Sequence, residues 1–227
     1  MAKAHTKFLL VEGKDDAHAV QGLVSHFVEW GSVERDWPVK IEQAGSDSEL
    51  LRPSYVRNSL KVPGLEAVGI VVDANGGLDR RWASLRNTCA PLGLGPFPDR
   101  PPAEGFVVAN VGGVRLGIWI MPDNRSDGML ETFLQYLVPA EDQRLWEHAK
   151  AASGEAKELG APFKAVHEDK AHIHTWLAWQ DPPGRPFGQA LKARCLDPNS
   201  PAAQPFVDWF VRLFELAPTP NRSTPPA

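Results

Sequence analysis

Residues 8–16 read FLLVEGKDD, and this stretch decides how the chain begins to fold. Its apolar run, Phe8 to Val11, predicts a strand buried on both faces, as in a parallel sheet. Residues 15–30 then carry apolar side chains at helical spacing, so the strand is expected to lead directly into a helix. Three carboxylates and a glycine occupy the junction: Glu12, Gly13, Asp15 and Asp16. Charges this dense at a strand end indicate a role that requires negative charge.

Two further strands are expected before residue 75. The segments PVKIEQA (38–44) and EAVGIVVD (66–73) are short apolar runs, and SDSELL between them has the Ser-x-x-Glu pattern of a helix start. Strand, helix, strand, helix, strand predicts a parallel sheet. A helix over 78–92 should end at Gly93, and four prolines within 95–105 predict a surface excursion without regular structure.

The sequence then changes character. FVVANV and VRLGIWIM flank Gly112 and Gly113, which predicts an antiparallel hairpin with a two-residue turn. Helical patterns follow over 129–138, 140–152, 163–179 and 205–216, with loops at 154–162 and 181–188. We therefore expect an α/β domain over 1–139, a helical C-terminal region over 140–216 packed on it, and a flexible tail over 217–227.

Composition narrows the classes of partner and compartment. Lys and Arg total 24 against 28 Asp and Glu, a net charge of −4, so nothing global draws the chain to nucleic acid or anionic membranes. Two cysteines, Cys89 and Cys195, cannot build a disulfide framework or a four-ligand zinc site, and neither lies in a CxxC pair. The chain shows no secretory leader pattern and no long apolar run. These features predict a soluble cytoplasmic protein that does not enter membranes.

Carboxylates recur where strands end. Asp73 follows the third strand, and Asp123 and Glu131 follow the hairpin. The carboxyl ends of parallel strands line one crevice, so these groups are expected near Glu12 and Asp16. Clustered carboxylates repel one another and therefore hold a cation or share a proton. Mg²⁺ suits such oxygen ligands best.

The segments VEGKDD (11–16) and VVDAN (71–75) resemble the Toprim domain, the metal-binding catalytic module of topoisomerases, bacterial primases, 5S ribosomal RNA maturase and the overcoming-lysogenization-defect nucleases. Glu12, Gly13 and Asp16 match the family's EGxxD motif, and Asp73 matches the first aspartate of its Asp-x-Asp pair. Asn75 stands where the family has the second aspartate. An amide oxygen can ligate Mg²⁺ but adds no charge, so metal affinity should be lower unless another carboxylate compensates.

Later segments, WIMPDNRSDGMLETFL (119–134) and KAHIHTWLAWQ (170–180), are similar to a narrower Toprim-like family of unknown function, and the likeness covers about 7–216. In the overcoming-lysogenization-defect nucleases a Leu-Glu dipeptide holds a second metal and a later lysine assists catalysis; Leu130-Glu131 and Lys170 match these. The resemblance implies a mostly parallel Toprim-like sheet, Mg²⁺ or Mn²⁺ as cofactor, and a bacterial origin. The implied metal ligands are Glu12, Asp16, Asp73, Asn75 and Glu131, the implied catalytic residues are Glu12, Asp73 and Lys170, and Gly13, Asp15 and Asp123 would support them.

Each of these residues also has a simpler interpretation. Glu12 and Asp16 could cap the following helix, and Asp123 could form an Asx turn. His167, His172 and His174 are poorly spaced for zinc. The tryptophans Trp119, Trp176, Trp179 and Trp209 are expected in the core rather than as base-stacking platforms. The arginines Arg80, Arg81 and Arg86 could contact phosphate or form a solvated face.

Two functions remain open. A topoisomerase needs a tyrosine nucleophile on a further domain and a replicative primase needs extra modules, so the leading hypothesis is a compact Mg²⁺-dependent nuclease acting on DNA or RNA. The alternative is a non-catalytic Toprim-like module that binds a metal or a protein partner through its helical half. Asn75 and the negative net charge favour the alternative. The oligomeric state stays open.

Overall fold

The computed structural model describes residues 5–109 and 112–219. The strands are β1 (Lys7–Val11), β2 (Lys40–Gln43), β3 (Ala67–Asp73), β4 (Phe106–Ala109) and β5 (Arg115–Met121). The α-helices are α1 (Lys14–Val24), α2 (Asp47–Leu50), α3 (Pro53–Ser59), α4 (Leu78–Cys89), α5 (Leu130–Gln135), α6 (Gln143–Glu158), α7 (Glu168–Ala178), α8 (Phe187–Lys192) and α9 (Gln204–Phe214). Short 3-10 turns occupy Glu34–Asp36, Ala90–Leu92, Ala140–Asp142 and Ala165–His167.

The strands form one five-stranded sheet in the order β2-β1-β3-β5-β4. All neighbours are parallel except β4 and β5, the predicted hairpin. The α/β class and the mostly parallel sheet are therefore confirmed. The chain leaves β1 for β2 on one side and returns to β3 on the other side, so the strand order reverses between β1 and β3. Open α/β sheets bind ligands in the crevice outside such a reversal.

Alternating side chains of the strands feed two separate cores. Leu9 and Val11 belong to one core and Leu10 to the other, as the two-residue period of a strand requires. Helices α2, α3 and α4 cover the second face. Helix α1 and the C-terminal helices cover the first face, so residues before and after 139 share one continuous core.

Helix α9 lies directly on the sheet because two glycines make room for it. Gly69 of β3 pairs with Gly117 of β5, and Leu213 of α9 packs over both. A Cβ atom at Gly117 would lie 2.3 Å from Leu213 Cδ2, which no real side chain tolerates. Arg115 at the start of β5 adds a hydrogen bond from Nε to the Leu213 carbonyl at 2.8 Å. Helix α9 of the C-terminal region therefore packs directly against the central strands and forms part of the layer that covers the sheet.

Several predicted boundaries shift. The paired strands of the hairpin end at Ala109 and Arg115, so the connection is longer than the two glycines; Asn110 and Val111 lie outside the described residues. Helix α6 continues to Glu158 into the predicted loop, and α8 begins where a loop was expected. At the predicted flexible tail, Thr219 N–H donates to the Phe27 carbonyl at 2.8 Å, while 220–227 lie outside the described residues.

Within residues 5–109 and 112–219, no helix combines the length and apolar character needed to span a bilayer. The longest of the described helices, α6, has 16 residues and carries charged side chains along its length.

Candidate functional site

A cleft of about 370 Å³ opens at the carboxyl ends of β1 and β3, where the strand order reverses. We call it the carboxylate pocket. Eight of the nine site residues that the family resemblance implies line it: Glu12, Gly13, Asp15, Asp16, Asp73, Asn75, Glu131 and Lys170. Lys14, Gly45, Ser46, Met129, Leu130 and His167 complete the lining. Segments far apart in sequence therefore meet at one edge of the sheet.

Glu12 is held against the neighbouring strand rather than on its own helix. The amide N–H of Asp73 donates to Glu12 Oε1 at 3.1 Å, which ties the end of β1 to the end of β3. The capping interpretation therefore does not hold for Glu12. Burial raises the pKa of Glu12 to about 7, because it outweighs the stabilising N–H of Asp73 and the positive charge of Arg81.

Asp16 does cap helix α1. Its Oδ2 accepts the amide N–H of Gly13 at 3.0 Å, a reciprocal contact across the first turn. Burial raises the pKa of Asp16 to about 6 despite this hydrogen bond. Gly13 has an extended φ of −145°, and a Cβ there would meet only ordinary contacts, so the turn itself does not require glycine.

Asp73 is the carboxylate on which the negative charges of the other carboxylates act most strongly. Its Oδ1 accepts the Leu130 amide N–H at 2.8 Å, which places the start of α5 at the strand end. Burial first, and then the charges of Glu12, Asp16 and Glu131, raise the pKa of Asp73 to about 8. The amide nitrogen of Asn75 donates a long hydrogen bond, of 3.5 Å, to Asp73 Oδ2.

Glu131 and Lys170 form the pocket's ion pair. Lys170 Nζ lies 2.9 Å from Glu131 Oε1, and the glutamate side chain is 5% exposed against 47% for the lysine. The hydrogen bond to Glu131 raises the pKa of Lys170, so the lysine is charged at neutral pH. The pairing depends on how α7 docks on α5: Thr132 Oγ1 donates to Asp169 Oδ2, and Gln135 Nε2 donates to the Asp169 carbonyl at 3.2 Å.

The pocket concentrates negative charge that the protein only partly neutralises. Three of its carboxyl groups have pKa values between about 6 and about 8, so they share protons around neutral pH. Strongly raised carboxylate pKa values in a cleft are typical of functional sites, because burial of like charges is costly for folding. This arrangement can bind a cation, accept protons from a ligand, or do both.

The donor set fits a hard divalent cation. Glu12, Asp16 and Asp73 each fix one oxygen on a backbone N–H. No three His, Cys, Asp or Glu side chains of the described chain are close enough together to hold an ion by themselves. Mg²⁺ commonly uses one or two carboxylates and completes its octahedron with water and phosphate oxygens, which this open cleft accommodates.

The sequence did not single out several lining residues. Ser46 caps α2, with its Oγ accepting the Glu49 amide N–H at 3.2 Å, and this confirmed cap also brings the residue to the pocket wall. The role of Leu130 could not be found either, because its backbone N–H, and not its side chain, contacts Asp73. Arg81 is 8% exposed and pairs with Asp47 at 3.1 Å, close enough to Glu12 to lower its pKa, so neither a solvated face nor a free phosphate contact describes it.

Other predicted residues lie elsewhere. Asp123 is outside the pocket lining: its Oδ1 accepts the N–H groups of Arg125 and Ser126 at 2.9 and 2.8 Å, which is the Asx-turn alternative. Among the tryptophans, Trp119, Trp176 and Trp209 are buried as expected. Trp179 is not: it is 41% exposed and stacks on His148 at 5.3 Å.

The histidines do not assemble into a zinc site. His167 lines the carboxylate pocket, whereas His172 packs edge-on against Trp146 and His174 stacks on Phe187. Burial lowers the pKa of His174, which favours its neutral form. These separate contacts follow from the helical spacing, which points neighbouring histidines in different directions.

Comparison with known proteins gives one family. The model of the family described as "Protein of unknown function (DUF3226)" matches residues 6–215. No curated protein and no solved structure matches the chain.

Proposed function

Because the chain belongs to that family, whose description names no activity, we propose a function from the carboxylate pocket: a Mg²⁺- or Mn²⁺-dependent nuclease that hydrolyses phosphodiester bonds of DNA or RNA. One observation carries the proposal. Glu12, Asp16 and Asp73 converge at the strand-order reversal with pKa values raised to between about 6 and about 8, beside the ion pair of Glu131 and Lys170. Such a set of groups suits a cation and a phosphate together.

The chain's own residues would divide the work. One or two of the carboxylates Glu12, Asp16, Asp73 and Glu131 would bind the cation, with water and phosphate oxygens completing its shell. The backbone N–H groups that anchor Glu12, Asp16 and Asp73 fix the orientation of these side chains before the cation arrives. Asn75 would contribute its amide oxygen after a flip of the side chain, since the nitrogen now faces Asp73. When bound, the cation supplies a water of lowered pKa and polarises the phosphoryl oxygen.

Lys170 would act on the substrate rather than on the cation. An ammonium group has three N–H donors, and the contact with Glu131 Oε1 occupies one of them. The side chain is about half exposed at the pocket edge, so the remaining donors can reach a phosphate oxygen. A fixed positive charge at this place stabilises the negative charge that develops on the phosphate. A cytoplasmic location belongs to the same proposal, supported by two free cysteines.

The direct test is a cleavage assay with purified protein. Labelled single-stranded DNA, duplex DNA and structured RNA are incubated with Mg²⁺, Mn²⁺ or EDTA, using wild type, Glu12→Gln and Asp73→Asn. We expect cleavage that requires the metal and is lost in both variants. Asp123→Asn is the matched control, because Asp123 also follows a strand but lies outside the pocket, and an asparagine can keep its Asx turn.

The alternative function is a non-catalytic module that binds a metal or a protein partner. Asn75 favours it, because its nitrogen faces Asp73 and its amide brings no charge to the ligand set. Absence of cleavage with every substrate and metal, from a folded wild type, would support this function. Calorimetric titration with Mg²⁺ and Mn²⁺ then decides whether the module still binds a cation.

A further inference from the structure

A second cleft lies beside the carboxylate pocket, across the loop of residues 74–77. Its volume is about 790 Å³, and its lining includes the three arginines Arg80, Arg100 and Arg125. We call it the arginine pocket. Asn75 lines the first pocket and Gly77 the second, and two residues of chain span at most about 7 Å, so the pockets adjoin.

The three guanidinium groups come from one helix and two loops. Arg80 lies in the first turn of α4, Arg100 in the proline-rich excursion after α4, and Arg125 in the Asx turn after β5. Sequence alone gives no reason for them to meet. Their convergence on one cleft is the observation from which a ligand site is argued.

These arginines are available for a ligand. The ion pairs of the described residues engage Arg81 with Asp47 and Arg86 with Asp99 instead. No ion pair of residues 5–109 and 112–219 includes an arginine of this pocket. Arg80 makes a single long contact, from Nη2 to the Asn75 carbonyl at 3.4 Å.

The acidic residues of the lining do not cancel this charge. Asp127 Oδ1 accepts the Leu78 amide N–H at 2.7 Å and so is engaged at the start of α4. Asp79 is the other acidic lining residue, which leaves three positive charges against two negative ones. Asn124 adds a donor: it is 2% exposed, and its Nδ2 has no hydrogen-bond partner in the described residues.

Arg80 is also positioned by the backbone. Its guanidinium lies over Gly76, where a Cβ would come within 1.6 Å of Nη2. Gly76 has a φ of +79°, which glycine adopts without strain. The loop that joins the two pockets therefore holds one arginine at their boundary.

We propose that the arginine pocket binds a backbone phosphate of the nucleic-acid strand whose scissile bond lies at the carboxylate pocket. Planar guanidinium groups bind phosphate oxygens in pairs, and phosphate contacts fix the register of a strand. This inference rests on the proposed function for the identity of the strand. It explains how a chain of net charge −4 can hold a polyanion, since the positive charge is local.

The test is binding without catalysis. The affinity of fluorescent single-stranded and duplex oligonucleotides for the full-length protein is measured by anisotropy in EDTA over a series of salt concentrations. The variant is the triple R80Q/R100Q/R125Q. For single strands, we expect the slope of the logarithm of the binding constant against the logarithm of the salt concentration to decrease in magnitude by about 2. The affinity at about 0.1 M salt should fall on the order of 100-fold.

Two controls make the result specific. The triple R57Q/R144Q/R194Q removes the same charge from exposed arginines that form no ion pair among the described residues and lie outside the pocket. It should lose less than about 3-fold. The triple R80K/R100K/R125K keeps the charge and should retain most of the binding. Circular dichroism shows that each variant is folded.

The outcomes separate the two proposals. If both glutamine triples bind alike, or wild type binds no oligonucleotide, the arginine pocket is not a phosphate site on the strand, whatever the cleavage assay gives. If the pocket triple alone loses binding, the arginine pocket is a phosphate site for a strand even where no cleavage is found, and only the scissile bond at the carboxylate pocket falls with the proposed function. Equal affinity of wild type for a 5′-phosphorylated mononucleotide and for the oligonucleotide would replace the strand by a small nucleotide and overturn the inference.

Discussion

The carboxylate pocket and the arginine pocket lie on either side of one short loop, yet they hold charge in different ways. In the first, Glu12, Asp16 and Asp73 are mostly buried and each is anchored by a backbone N–H. In the second, Arg80 and its neighbours are exposed and nearly without protein partners. The carboxylates of the first pocket are therefore held in place and poorly solvated, whereas the arginines of the second pocket are exposed to solvent.

This difference assigns different tasks to the two pockets. Charge in a buried, preorganised site acts strongly on a reacting group, because surrounding water is excluded. Exposed cations contribute to affinity and to salt dependence, because they release counterions when a polyanion binds. We therefore expect the carboxylate pocket to carry out hydrolysis and the arginine pocket to supply most of the affinity for the nucleic acid.

The largest effect should be the loss of cleavage, without a loss of binding, when Glu12 of the carboxylate pocket is replaced. Glu12→Gln should lower the cleavage rate at saturating oligonucleotide by at least about 100-fold, since a ligand of the cation is lost. Its oligonucleotide affinity in EDTA should stay at or above that of wild type, because a negative charge is removed. Single-turnover cleavage and anisotropy measure the two quantities, and a parallel fall in both would break the division of labour.

Asp73→Asn should stabilise the metal-free protein as pH rises. The folded-state pKa of Asp73 is about 8 against an ordinary 3.8, so the folded state binds the proton more tightly. Stability from this group is present below about pH 4 and is lost progressively up to about pH 8. The variant, whose Oδ1 can still accept from Leu130, should gain on the order of 3 kcal/mol above that pH.

Urea unfolding in EDTA from about pH 4 to about pH 9 measures this gain. The two proteins should be close in stability at the acidic end. A constant difference at every pH would show that the effect is not the titration of Asp73. Addition of Mg²⁺ should raise the free energy of unfolding of wild type but not that of the variant, because in wild type the cation takes the place of the proton.

Lys170→Met should destabilise the fold through Glu131. The variant leaves a carboxylate that is 5% exposed without its ammonium partner, at a cost of about 2 kcal/mol. Lys164→Met, an exposed lysine nearby in sequence, is the matched control and should change stability by less than about 0.5 kcal/mol. Adding Glu131→Gln to Lys170→Met should recover part of the loss in thermal unfolding.

The smallest effect concerns the loop between the pockets. Gly76→Ala and Gly77→Ala both place a Cβ at positive φ, +79° and +115°, and each should cost about 1 kcal/mol. Only Gly76→Ala displaces the Arg80 guanidinium, so only it should also lower oligonucleotide affinity, by about 5-fold. Equal affinities of the two variants would show that Arg80 does not depend on the loop.

Much of the acidic side could be predicted from the sequence. Near-continuous apolar runs identify β1 and β3, and the rule for parallel sheets brings Glu12 and Asp73 together without any knowledge of the intervening chain. Lys170 was matched through the family resemblance, since no periodicity connects α7 to the strand ends. Its position depends on the contact of Asp169 with Thr132, which is visible only in three dimensions.

Of the basic side, the sequence singled out only Arg80 as a possible phosphate contact; its meeting with Arg100 and Arg125 could not be predicted, because these two depend on loop paths. Arg100 follows a proline-rich excursion and Arg125 follows a turn, and neither segment has a period that fixes its direction. Helix α8 was missed for a related reason: the prolines before it and Gly188 within it indicate a loop. Tertiary packing reverses that preference, because Gly188 lets α8 approach Gly22 of α1 closely.

The place of α9 has a consequence for biosynthesis. The part of the sheet around Gly69 of β3 and Gly117 of β5 remains uncovered until Leu213 of α9 reaches it, and these contacts join residues more than ninety positions apart. The amino-terminal half therefore leaves the ribosome with exposed apolar strands and must wait for the last helix. Long-range closure of this kind slows folding. A nascent chain stalled before residue 204 should therefore be a chaperone substrate rather than a folded domain.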